Sequence, residues 1–125
     1  MLNTHLPPLW RFRLLGVIGA SGRWEHRKLL GAWAQAEGGT ARWNPLNTTL
    51  PMPGATNYNN AGVRDYPRPI VGLCATAATL ANGFYDGILR DLTAGTFTAR
   101  QIVERNRAEF DKWGTGAANV LKVLG

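Results

Sequence analysis

The chain has 125 residues, 45% of them apolar, with 14 Lys+Arg against 8 Asp+Glu and a formal net charge of +6. That length fits one domain with a packed core, and no apolar run reaches the roughly 20 residues a membrane span needs. The single cysteine, Cys74, excludes an internal disulfide, and with two scattered histidines, His5 and His26, it gives no metal-ligand spacing; neither a metal nor a cofactor is expected.

Residues 1–20 differ from the rest. Pro7 and Pro8 precede the basic, aromatic run Trp10-Arg11-Phe12-Arg13 and a short apolar patch, 14–20. The patch is short and its charges come late for a signal peptide, so the segment reads as an extended N-terminal arm with too much apolar surface to hang free, suited to docking on a partner chain. Residues 21–125 form the domain proper. Ser21 is the expected N-cap of a helix over 24–37, stopped by Gly38-Gly39. From 40 to 69 the chain is rich in Asn, Pro, Gly and Tyr, with strands expected at 56–58 and 63–66 as a small hairpin. Helices follow at 70–81 and 85–92. Thr98 with Gln101 makes a capping box for one running to about 112, and 117–124 adds the last. Cys74, in a run of small apolar residues, reads as a buried, inert thiol. The order is helix, loop with a little sheet, then helices, which is an α+β arrangement.

No serine-hydrolase, Walker or dinucleotide glycine motif occurs, which leaves carboxylates to carry chemistry. Leu30, Trp33 and Glu37 fall on one helical face, so Glu37 lies on an apolar stripe in the last turn. Desolvation and the negative end of the helix dipole both favour the protonated form there, as a glycosidase requires of its general acid. A helix ending one residue earlier makes Glu37 an ordinary surface carboxylate, and spacing alone does not decide between the two. Asp65, beside Tyr66 in the expected hairpin, is the only acid between Glu37 and the later helices and the candidate second carboxylate; a solvated turn aspartate is its plain alternative. Trp43, Asn44, Asn47, Thr48, Tyr58, Asn60, Tyr66 and Tyr85 supply the amides, hydroxyls and aromatic faces that sugar recognition uses, although Asn44 and Asn47 equally suit loop closure and Tyr66 equally suits the core.

Several of these residues fall in one ordered series: Ala34-Gln-Ala-Glu37-Gly-Gly, Asn44-Pro-Leu-Asn-Thr-Thr49, Asn59-Asn-Ala-Gly-Val63, Tyr66, Gly72, Ala75-Thr76, Thr79-Leu80, Asn82-Gly83 and Tyr85. The series resembles the lysozyme-like domains of actinobacterial phages, over residues 29–92. The resemblance implies a lysozyme-like fold, mainly helical with a small β-hairpin lobe, and cleavage of peptidoglycan glycan strands as a muramidase or lytic transglycosylase. It implies Glu37 as the acid, favours Asn47, Thr48 and Tyr66 as groove contacts, and leaves Asp65 unassigned. A lytic transglycosylase needs a single glutamate when the substrate's N-acetyl group assists. The place of action would be the phage virion, or the cell wall after release. The competing reading is a virion or tail component that binds cell wall or neighbouring phage proteins through residues 1–20 with little or no turnover. The net positive charge suits an anionic wall. It also suits nucleic acid, but the cations are dispersed and no docking motif appears, so no specific nucleic-acid partner is expected.

Overall fold

In the computed structural model, which describes residues 9–125, seven helices surround one core and a two-stranded antiparallel sheet stands between the second and third helices: α1 (Leu9–Val17), α2 (Trp24–Glu37), β1 (Thr56–Asn57), β2 (Arg64–Asp65), α3 (Pro69–Leu80), α4 (Asp86–Ala94), α5 (Ala99–Arg105), α6 (Arg107–Trp113) and α7 (Ala117–Leu124). The helix α2 runs through the centre, packed against α7, α1 and α5. Its Leu29, Leu30 and Trp33 are completely buried, as are Leu14, Leu15, Leu80, Ile88, Leu92, Ile102 and Phe110 around them. No described helix is long and apolar enough to cross a membrane.

From Leu9 onward the expected arm is instead a helix of this same core. Trp10, Leu14 and Leu15 are buried, and α1 packs on α3 and α2. Its two arginines lie at the rim: Arg13 is exposed, and the Arg11 guanidinium lies along Gly31 of α2. Residues 1–8 of the expected arm lie outside the described residues.

Helix ends and helix faces follow local chemistry, with three departures from expectation. The N-cap of α2 is Arg23, not Ser21, and no side chain caps it; the Ser21 carbonyl is instead paired with Nδ1 of the buried His26 at 2.9 Å. Thr98 and Gln101 form the capping box, but the helix they open stops at Arg105. The Asn106 amide donates to Asp91 and to the Ile102 carbonyl, turning the chain before α6 begins. Asp91 is buried; burial alone raises its pKa, but its hydrogen bonds from Arg105 and Asn106 outweigh that and hold it below the usual carboxylate value. Cys74 is the third departure. It is exposed, because α3 turns Leu73, Ala77 and Leu80 inward and leaves Ile70, Cys74 and Ala78 on the outer side.

The hairpin pairs Thr56 with Asp65 and Asn57 with Arg64; β1 stops one residue short of the expected 56–58, and β2 is one residue shorter at each end than 63–66. The loop before it, from Arg42 to Thr48, lies along β2: Tyr66 N–H donates to the Arg42 carbonyl and Arg64 N–H to the Thr48 carbonyl. This loop also lies against α3, where Gly72 meets the Trp43 carbonyl so closely that a Cβ there would overlap it. Here glycine is required for close approach of two backbones.

Candidate functional site

Glu37 is the last residue of α2, and the geometry that puts it there is a Schellman motif. Gly38 adopts the left-handed conformation at φ 64°, its N–H donating to the Gln35 carbonyl, while Gly39 N–H reaches the Ala34 carbonyl. The helix therefore does not end a residue early, and Glu37 keeps its place on the buried stripe. Its own carbonyl, one of the orphans of a helix end, accepts the Asn47 side-chain amide at 2.9 Å.

The Glu37 side chain is half-buried and meets the loop between α6 and α7. Thr115 N–H donates to Oε2 at 3.2 Å, and Gly114 approaches so closely that an added Cβ would be 3.1 Å from Oε1. Below lies a cluster of rings. Trp33 packs on Phe110 at 4.7 Å and on Trp113 at 5.0 Å between ring centres, and Trp113 packs on Tyr85 at 5.0 Å. The buried Trp33 indole nitrogen approaches the Glu37 carboxylate without completing a hydrogen bond. Burial raises the Glu37 pKa above its ordinary 4.5, against a smaller opposing effect of Thr115, Trp33 and Asn47. Among the described residues Glu37 is the one carboxylate whose pKa moves clearly upward. Chemically, it is a proton donor held closer to neutrality than a solvated glutamate.

The other candidate residues divide into two groups. Asn47 and Tyr85 come to Glu37. Asn47, at φ 58°, bonds its carbonyl as described. Burial raises the Tyr85 pKa, with the negative charges of Glu109 and Glu37 adding to the effect, so its hydroxyl stays a donor. Tyr58 and Asn60 sit in the hairpin, lining a polar cavity of about 460 Å³ with Asn57, Asn59 and Gly62. The Tyr58 hydroxyl pairs with Thr40, on the segment that leaves Glu37.

The remaining candidates hold the loop. Asn44 is buried, its amide donating to the Thr48 and Arg64 carbonyls at 2.8 Å while its oxygen accepts from Thr48 N–H. Thr48 is buried and pairs with the Thr79 hydroxyl of α3. Tyr66 is buried, donates to the Leu50 carbonyl at 2.6 Å, and has its pKa pushed up to about 12 by burial. Trp43, at φ 54°, takes a conformation rare for a bulky residue and directs the loop turn onto α3. Asp65 accepts the Arg42 N–H at 2.6 Å, which ties the hairpin to the loop; none of its hydrogen bonds leads to Glu37.

Sequence reasoning missed Trp113, Gly114 and Thr115. The turn at Gly114-Thr-Gly116 is visible in the sequence, but nothing local says that it folds back onto a residue 78 positions away. Among the described residues no cluster of His, Cys, Asp or Glu could hold a metal ion. Comparison with family models, with curated proteins and with solved structures finds no match to the chain.

Proposed function

We propose that the protein cleaves the glycan strands of peptidoglycan, as a muramidase or lytic transglycosylase of phage origin acting from the virion or on the cell wall after release. The observation that carries the reading is Glu37: a half-buried carboxyl with a raised pKa, fixed by a Schellman turn above an aromatic cluster, where the helices meet the Asn-rich loop and hairpin. Protonated Glu37 gives its proton to the glycosidic oxygen as the C1–O bond breaks. The N-acetyl oxygen of the sugar covers C1, and the Glu37 carboxylate then takes a proton from water, giving a reducing end, or from the sugar's own 6-hydroxyl, giving a 1,6-anhydro end. Tyr85 donates to the substrate beside Glu37. Tyr58 and Asn60 present a ring face and an amide to sugars further along the hairpin, which suits N-acetyl and hydroxyl groups. Asp65 has no required step.

A non-catalytic virion or tail component is the second reading, and the exposed Leu9, Phe12 and Val17 of α1 favour it as an assembly surface. Digestion of purified peptidoglycan, followed by mass spectrometry of the soluble fragments, separates the two. Reducing or 1,6-anhydro muramyl ends support cleavage and state its type. A folded sample that binds the wall and releases neither withdraws the enzymatic reading in favour of the second.

A further inference from the structure

Away from Glu37, a cleft of about 230 Å³ opens between α1, α2 and the end of α7. Its polar lining is Arg11, Lys28, Gln35 and the indole of Trp24, its apolar floor is Val123 and Leu124, and among the described residues no carboxylate lines it. The Arg11 guanidinium is pressed against Gly31, with Cζ 2.7 Å from where a Cβ would stand. Its Nε is fully buried and has no hydrogen-bond partner among the described residues. Among the described residues neither Arg11 nor Lys28 has an acidic partner. The nearby acids are committed elsewhere: Glu25 accepts Ala99 N–H, and Glu37 accepts Thr115 N–H. The terminal Gly125 oxygen accepts from Arg100.

The Arg11 guanidinium, held flat on Gly31, and the Lys28 ammonium line a cleft that has no acid to neutralise them, and an oxyanion seated there accepts charge-assisted hydrogen bonds from both. We propose that this cleft is a phosphate-binding site. Two cations and an amide donor with no opposing acid suit a dianion better than a single carboxylate, and the guanidinium supplies the planar fork that phosphate oxygens match. The exposed Trp24 indole beside it gives a flat face to whatever carries the phosphate, a polyol, sugar or nucleobase. The site stands independently of the glycan-cleavage reading.

The test is a titration of the full chain at fixed ionic strength with inorganic phosphate, glycerol 3-phosphate, adenosine monophosphate and, as the monoanion control, acetate. The Arg11 Nε–H and Trp24 indole N–H signals in nitrogen–proton correlation spectra give the readout. The expected result is a saturable shift of both signals with phosphate and at least tenfold weaker binding of acetate. The tighter of the two organic phosphates tells a polyol-phosphate source from a nucleotide one. Lys28→Gln removes a charge without disturbing the core, and Gly31→Ala pushes the guanidinium out of its seat; each should weaken phosphate binding at least fivefold with the spectrum otherwise native. No saturable shift, equal binding of acetate, or unchanged affinity in both variants overturns the proposal.

Discussion

Replacing Leu14 by alanine asks whether α1 belongs to the core or merely rests on it. Leu14 is completely buried in the same cluster as Leu30 and Trp33. Truncating such a leucine loses the transfer free energy of its methyl and methylene groups and leaves a cavity, a combined cost of about 3–5 kcal/mol. For a domain of this size each kcal/mol lowers the melting temperature by roughly 3–5 °C, so a fall of about 10–20 °C is expected. Leu9, at 49% exposure on the same helix, is the control, and its truncation should cost about 0.5 kcal/mol or less. Urea unfolding followed by tryptophan fluorescence at dilute, equal concentrations measures both, with the urea dependence checked for constancy so that the midpoints report stability alone. A Leu14→Ala cost below about 1 kcal/mol, or one that appears only when the sample is concentrated, would refute the placement of α1 in its own domain's core and return it to the role of a docking segment.

Three further outcomes follow from the loop and the carboxylates. Gly72→Ala forces the α3 backbone off the Trp43 carbonyl and should cost about 3 kcal/mol or more while shifting the amide signals of residues 43–48; a near-neutral change in thermal unfolding would contradict that contact. Unfolded, Glu37 titrates near 4.5, and folded it titrates higher. Between those values the folded chain binds more proton than the unfolded one, so this residue's contribution to stability falls as pH rises through the interval and is flat below it. Glu37→Gln should therefore gain on the parent in unfolding free energy between pH 4 and pH 7, and a loss over that range would show that the carboxylate is stabilised rather than desolvated. Asp65→Asn keeps an oxygen to accept the Arg42 N–H, and glycan cleavage should fall by less than about tenfold; a collapse matching that of a Glu37 variant would make Asp65 the second carboxylate.

What the sequence made legible was chemistry decided within a few residues. The bounds of α2, its glycine stop, the capping box at Thr98 and Gln101, the hairpin turns and the last helix all rest on neighbours in the chain. What escaped was decided by distant partners. Arginines such as Arg11 and Arg13 tend to keep a segment in solvent, yet the absent side chain of Gly31, on another helix, leaves room for the Arg11 guanidinium to lie on α2. Asn106 breaks the helix after Thr98 because Asp91, a residue of α4, takes its amide. Asn44 and Tyr66 carried two readings in the sequence, and the bonds to Thr48, Arg64 and Leu50 show their loop-holding roles. Cys74 was misplaced because its small apolar neighbours gave no indication of which side of α3 the core would take.

The account turns on Glu37 as the proton donor, and the release of soluble glycan fragments from purified peptidoglycan by matched samples of the parent and Glu37→Gln tests it most directly. The amide preserves shape and cannot donate an acid proton, so the rate should fall by about a hundredfold to ten-thousandfold while circular dichroism stays unchanged. Turnover within a fewfold of the parent, in a variant that is equally folded, would contradict the assignment.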